Sequence, residues 1–249
     1  MVNKRQRVRK AVLIISMILF PITLNYFSPY LIVVGAAQGI VVGSLVTFGA
    51  LFISSLFLGR LFCGWLCPAG ALQEMAFLAN DKKVNGKRLD WIKYLLIWSP
   101  WVTTIVFLLI WSGGIRKFDP LYLTETGISV SEPANYIIYL AVVGAFLVIS
   151  LIGGRRAGCH AACWIAPFMV LGRKTRNIFG WRSLTLTAEP EKCVNCGICT
   201  SVCTMSLDVQ KMVAERKMEH SECILCGQCI DSCPKNVISY SYSRSKRDQ

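Results

Sequence analysis

Charge is scarce in this 249-residue chain: 16% of residues are Asp, Glu, Lys or Arg, against 54% that are hydrophobic. So little charge cannot cover the apolar residues with a solvated shell. Much of the surface must face something other than water, and a membrane is the first candidate. Acidic residues are scarcer still, 14 against 27 Lys and Arg, for a formal charge of +13. Nucleic acid is nevertheless excluded as the partner, because the basic residues cluster beside apolar segments, as membrane topology requires. No small-residue cleavage site follows the first apolar run; Asn25, Tyr26, Phe27 and Pro29 stand there instead. That predicts an uncleaved helix rather than a secretory leader. The apolar runs also lack a chain of ionisable residues, which argues against a transporter.

Lys4, Arg5, Arg7, Arg9 and Lys10 precede a helix expected over about 11–28, with Pro21 as a tolerated kink. A second is expected over about 38–58, glycine-rich and ending at Gly59-Arg60. Residues 59–90 are again positive, with Arg60, Lys82, Lys83, Lys87 and Arg88 against Glu74, Asp81 and Asp90. The third helix, over about 91–111, carries Trp91, Tyr94, Trp98, Trp101 and Trp111 as interfacial anchors. Residues 112–133 have no positive excess, with Arg116 and Lys117 against Asp119, Glu125 and Glu132, and belong outside. The fourth helix spans about 134–152, and Arg155 and Arg156 follow it. The bias predicts a multi-pass protein of the inner (cytoplasmic) membrane with both termini cytoplasmic.

Twelve cysteines are present. Eight form two runs, Cys193, Cys196, Cys199, Cys203 and Cys223, Cys226, Cys229, Cys233, each reading C-x2-C-x2-C-x3-C at an offset of 30 residues. This is the iron–sulfur run of bacterial two-cluster ferredoxins, in which the fourth cysteine of each run ligates the other cluster. The expected sets are crossed: Cys193, Cys196, Cys199 and Cys233 for one [4Fe–4S], and Cys223, Cys226, Cys229 and Cys203 for the other. Paired zinc sites space their C-x2-C pairs further apart. Thiolates that must stay reduced place the runs on the cytoplasmic side and argue against a disulfide framework. Thr204 stands where the second run has Pro234, a difference expected to alter hydrogen bonding and potential but not the cluster itself. The flanking stretches 184–187 and 237–242 alternate as strands.

The other four cysteines form two C-x3-C motifs, Cys63/Cys67 and Cys159/Cys163, at an offset of 96 residues. Arg60 and Arg156 each stand three residues before the first cysteine, and each motif follows a helix pair. The membrane part thus reads as an internal repeat. Together the motifs offer four thiolates for a further metal or redox centre, iron–sulfur, zinc or copper(I) by softness; a thiol role in assembly and buried packing are the other readings. His160 is a fifth ligand, a proton carrier or an ordinary interface histidine.

From Arg60-Leu61-Phe62-Cys63-Gly64-Trp65-Leu66-Cys67-Pro68, joined to the two ferredoxin runs, the chain resembles the NapH-type polytopic membrane ferredoxins, and shares parts with NosR-like and CcoG-like proteins. It departs in having Trp164 directly after Cys163, with Pro167 further on, and in showing no flavin-attachment segment. The resemblance implies a quinol-linked or membrane-associated electron carrier, at most the electron-transfer subunit of a quinol dehydrogenase-like complex. The expected fold is a mainly α membrane protein: four transmembrane helices as two repeated hairpins over 1–183, a small α+β two-cluster ferredoxin domain over 184–242 and a flexible basic tail over 243–249.

Electron transfer to a redox partner, with quinol or quinone in the bilayer, is the leading functional reading. A metal-handling assembly factor and a redox-sensing regulator are the alternatives. Lys192, Lys211, Arg216, Lys217 and Lys235 either steer an acidic partner or are plain solvated charges. The outer segments 118–122 and 127–130 are either a connecting loop or part of a quinone or partner site, with Asp119, Glu125 and Glu132 as its carboxylates. Asn25 and Gln38 are expected to make hydrogen bonds between helices.

Overall fold

A computed structural model of the protein describes residues 4–124 and 127–244. Glu125 and the tail from residue 245 lie outside these, and only the backbone of Lys87 and Arg88 is described.

The chain opens on α1 (Lys4–Ile18) and α2 (Phe20–Thr23), which a 3₁₀ turn prolongs to Phe27. The two meet at a bend of 59°, next to Pro21, whose ring removes a helix N–H. Ser28 caps α3 (Pro29–Gln38): its Oγ accepts the Leu31 N–H, and Pro29 fills the first helical position, where an N–H would have no partner. Gly39, at φ +68°, ends α3. Then come β1 (Ile40–Val42), α4 (Gly43–Leu58), α5 (Leu61–Trp65), α6 (Pro68–Met75) and α7 (Gly86–Trp91). α7 runs through a π-helical stretch (Ile92–Trp98) into α8 (Ser99–Trp111), followed by β2 (Lys117–Asp119), α9 (Asn135–Gly153), α10 (Ala157–Ala161) and α11 (Ile165–Phe179).

Leu89–Trp111 and Asn135–Gly153 are long and apolar enough to cross a membrane, and the bent segment from Lys4 to Phe27 makes a third if it counts as one span. α4 has 16 residues, roughly 24 Å at the α-helical rise, less than the ~30 Å of a hydrocarbon core. The expected helix over 38–58 starts only at Gly43. Before it, β1 pairs in parallel with β2, Ile40 opposite Lys117 and Val42 opposite Asp119. Three apolar residues have no period that separates strand from helix. The long helices turn apolar faces outward, with Trp111 81% exposed on α8 and Ile152 77% exposed on α9, surfaces suited to hydrocarbon rather than water. Inside, Leu31, Ile32, Val42, Phe48 and Trp101 form a core. Phe168 meets Phe48 edge-on at 5.3 Å, and Trp164 meets Trp101 at 5.7 Å.

The ferredoxin part is closed by β3 (Ser183–Ala188) and β4 (Ile238–Ser243), which pair antiparallel, Ser183 opposite Ser243 and Ala188 opposite Ile238. Between them lie α12 (Ile198–Ser201), α13 (Val209–Ala214) and α14 (Gln228–Asp231). Asp208 caps α13 by accepting the Lys211 N–H. Leu186, Val209, Val213, Met218, Leu225, Val237 and Ile238 fill its core. This part is fastened to the helices: Arg5 pairs with Asp231, Gln6 Nε2 donates to the Cys226 carbonyl at 3.0 Å, and Arg173 Nε donates to Glu219 at 2.9 Å.

Candidate metal centres

The two four-cysteine runs share one backbone course. Asn195 (φ +55°) and Leu225 (φ +52°) are left-handed, as are Gly197 and Gly227 before α12 and α14, and Ser206 and Asn236 after the last cysteines. Repeated left-handed turns curl each run around a centre. Cys203, Cys223, Cys226 and Cys229 line one small cavity; Cys193, Cys196, Cys199 and Cys233 line another. Each cavity therefore takes three thiols from one run and the fourth from the other. The Leu207 and Val237 N–H groups donate to Cys203 Sγ and Cys233 Sγ, both at 3.4 Å. Burial, with the neighbouring thiolates adding to it, pushes Cys203 up to about 11 and Cys223 up to about 12. Such thiols ionise together only around a cation. The Thr204 hydroxyl lies 3.6 Å from Cys226 Sγ.

The C-x3-C motifs repeat a different structure. α4 and α9 end on Gly59 (φ +58°) and Gly154 (φ +99°), whose N–H groups return to the Ser55 and Ser150 carbonyls. Arg60 and Arg156 then precede the one-turn helices α5 and α10. The Cys63 and Cys159 N–H groups bond the arginine carbonyls at 3.1 and 2.9 Å, and Leu66 and Ala162 close the turns at 2.8 and 2.9 Å. The four thiols come within electrostatic reach of one another. Burial first, then the charge of the neighbouring thiolates, raises Cys67 and pushes Cys163 up to about 12.

Two buried arginines, one per repeat, stand beside these thiols. Arg156 Nη1 donates to the Cys63 carbonyl at 2.8 Å, and its Nη2 pairs with Glu74 at 2.6 Å. Arg9 pairs with the same carboxylate at 2.8 Å. Burial alone would raise Glu74, but Arg156 and Arg9 outweigh it and hold the carboxyl below the usual range. Arg60 Nη1 donates to the Ser221 carbonyl at 2.8 Å and to Glu222 at 2.7 Å, where Lys93 also donates at 3.0 Å. The same balance holds Glu222 well below the carboxylate range. The Nε atoms of Arg60 and Arg156 are buried and have no hydrogen-bond partner among the described residues. Met169 Sδ lies 3.5 Å from Cys63 Sγ, and Gln73 Nε2 donates to Cys159 Sγ at 3.2 Å. No spacing rule marks Met169 or Gln73; Glu74 carried a signal as a carboxylate amid apolar residues.

The motifs and the second ferredoxin run share a wall. Cys63, Cys159, Met169, Met205, Ile224 and Cys226 pack in one cluster. A Cβ on Gly64 would run into the Ile224 carbonyl oxygen, and Trp65 Nε1 donates to the Leu225 carbonyl at 3.2 Å. Of the first run only Cys203, whose thiol faces the second run's cavity, packs against this wall; Cys196 is exposed.

Other residues of interest lie elsewhere. Asp90, His160 and Glu222 have ligand atoms within 4.8 Å of one another. Lys93 and Arg60 already pair with these carboxylates, so the trio reads as an ion-pair network that bridges α10 and the ferredoxin part. Asn25 Nδ2 donates to the Leu123 carbonyl at 2.7 Å, and Gln38 Oε1 accepts from the Tyr122 hydroxyl at 2.8 Å, so both bind the outer segment. Asp119 pairs with Lys117. Lys192, Lys211 and Arg216 pair with Glu189, Glu215 and Glu191 on the surface.

Comparison with known proteins agrees with this chemistry. A family profile described as a 4Fe-4S binding domain matches twice, at residues 40–87 and 135–182, each stretch holding one C-x3-C motif. One described as a 4Fe-4S dicluster domain matches residues 192–238. An uncharacterized protein of Methanocaldococcus jannaschii is 26% identical over 78% of this chain and 77% of its own. The methylamine utilization ferredoxin-type protein MauN of Methylorubrum extorquens is 26% identical over 84% of this chain and 72% of its own. The regulatory protein NosR of Pseudomonas aeruginosa is 28% identical over 74% of this chain and 26% of its own. No solved structure matches. The chain is thus a ferredoxin-type iron–sulfur electron-transfer protein with two to three segments apolar and long enough to cross a membrane. It binds two [4Fe–4S] clusters and is a distant homologue of MauN and NosR.

Proposed function

We propose that the chain carries electrons between quinol in the bilayer and a redox partner through three cysteine-held centres. Cys193, Cys196, Cys199 and Cys233 hold the outermost cluster; Cys203, Cys223, Cys226 and Cys229 hold the middle one; Cys63, Cys67, Cys159 and Cys163 hold a third, at the membrane. A [4Fe–4S] cluster, once held, takes up and releases one electron at a time. The observation that carries this reading is the shared wall of Cys63, Cys159, Ile224 and Cys226, which leaves no solvent layer between the membrane motifs and the middle set.

The third donor set suits an iron–sulfur group. Four buried thiolates repel one another, and two buried guanidiniums, each with an unspent Nε donor, offset an anionic sulfur-rich centre. The 4Fe-4S profile over both motifs points the same way. Gln73 and Arg156 fix the motif backbones. The Arg60–Glu222–Lys93 network holds the ferredoxin part against them. Four spans, with α4 as the short one, put both termini and all twelve cysteines at the cytoplasmic face.

The test is anaerobic reduction of the protein in lipid nanodiscs by a quinol. Cys63→Ser with Cys159→Ser should abolish cluster reduction while dithionite still reduces both ferredoxin clusters; an unchanged quinol rate would remove the membrane motifs from the path. One observation favours the second reading, metal handling: the Met169 thioether against Cys63 adds a soft ligand suited to copper(I). Under that reading the double variant keeps electron transfer but fails to mature a partner metalloenzyme.

A further inference from the structure

We infer that the cavity beside Cys67 and Cys163 is a binding site for the ring of an isoprenoid quinone, entered from the bilayer between α9 and the broken first helix. The inference rests on the reading above for its purpose, but not for its geometry.

The cavity measures about 330 Å³, within the range of small-molecule pockets. Its floor is the end of both C-x3-C motifs, Cys67-Pro68 and Cys163-Trp164. One wall is a stripe of α9, Ile138, Val142, Ala145 and Ile149, spaced by single helical turns. α9 is a candidate span with only 6% of its most apolar window buried, so this wall has lipid at its back. Ala145 is exposed and small, which leaves a gap at the lipid side. The opposite wall is Phe20, Leu24 and Phe27, on the far side of the 59° bend. Without that bend the first helix would carry these side chains along its axis and away from the cysteines.

The lining is apolar with few polar groups, as an aromatic ring with two carbonyl acceptors requires. Ser28 is one of them. Its oxygen already accepts the Leu31 N–H, and its proton has no partner among the described residues, so it is free to donate to a carbonyl. It also stands at the N-terminus of the 10-residue α3, where a partial positive charge favours an oxygen acceptor. A phospholipid chain would use neither feature and would gain nothing from two thiols at the floor. A larger cavity, of about 500 Å³, lies between α1, α6 and the ferredoxin part, but Arg9, Lys10, Glu74, Asp81 and Arg155 line it, and an apolar ring does not repay the cost of desolvating them.

The experiment uses the full chain, cluster-loaded and oxidised, in lipid nanodiscs, with an azido-substituted short-chain ubiquinone as photoprobe. Label is expected on the peptides holding 20–29 and 138–149. Ala145→Phe and Val142→Phe, which narrow the cavity from the lipid side, should each weaken labelling by about tenfold or more, with cluster absorbance unchanged. Competition by ubiquinone-1 against menadione tells whether a monocyclic or a bicyclic ring is preferred. Labelling confined to other segments, or labelling indifferent to both variants, overturns the site. So does native mass spectrometry showing a retained phospholipid that quinone does not displace. Because labelling needs no turnover, Cys63→Ser with Cys159→Ser separates the two claims. Unchanged quinol-driven reduction of the ferredoxin clusters in that variant, with labelling retained, would sink the electron path and leave the quinone site standing.

Discussion

The two four-cysteine runs have the same spacing and the same left-handed turns, yet they occupy opposite environments. In the first run Cys196 and Val194 are exposed; in the second, Ile224, Leu225, Cys226 and Cys229 are buried. At the matching left-handed position the first run has Asn195, which tolerates that conformation, and the second has Leu225, which does not. Leu225 is held there by its own burial and by two donors to its carbonyl, Trp65 Nε1 and the Tyr240 hydroxyl. Spacing alone sets the ligand chemistry, while the residues between the cysteines decide which face docks on the membrane part. The first run thereby leaves Cys196 open at the surface, and the second packs against the C-x3-C motifs.

That contrast can be broken in graded steps. Replacing a ligand of the buried run, Cys223→Ala, should stop quinol-driven reduction of the outermost cluster altogether; Cys196→Ala should leave the middle cluster reducible. Stopped-flow spectroscopy with quinol and then dithionite reads both. Glu222→Ala leaves Arg60 and Lys93 buried without their shared carboxylate, which costs about 3–5 kcal/mol. It should loosen the ferredoxin part, seen as faster hydrogen exchange at 221–226. Because the native Glu222 carboxyl is held below its ordinary value of about 4.3, its contribution is complete above that pH. It is lost as pH falls from there toward the native value, and hydrogen exchange over 221–226 should quicken only in that window.

A smaller effect is expected at Thr204. A hydroxyl near Cys226 Sγ stabilises the reduced, more negative cluster. Thr204→Val should therefore lower the midpoint potential of the middle cluster and leave the outermost one unmoved, as followed by redox-poised EPR. Smallest of all, Lys192→Ala and Lys235→Ala should change the partner's association rate by about twofold or less at physiological salt, since exposed pairs such as Lys192–Glu189 contribute ~0–1 kcal/mol. Stopped-flow association at two ionic strengths checks this.

The parts legible in the sequence are those set by local spacing. The two ferredoxin runs, the duplicated C-x3-C with its arginine, and the strands that β3 and β4 became all follow from patterns a few residues long. The long helices at 89–111 and 135–153 follow from hydropathy. What escaped was non-local. Nothing near Arg60 indicates that its partner is Glu222, and nothing near Gly64 indicates that it must admit the Ile224 carbonyl. The β1–β2 pairing hid in an apolar run, and no local pattern marks that the bend beside Pro21 sets Phe20 and Phe27 across a cavity from α9.

The central claim is a third centre on Cys63, Cys67, Cys159 and Cys163, and an anaerobic iron and sulfide count on the purified chain tests it most directly. The account predicts more than the about eight irons that two cubanes need, falling to about eight in Cys63→Ser with Cys159→Ser, with one redox signal lost. About eight irons in both proteins, with identical EPR spectra on full reduction, would contradict it.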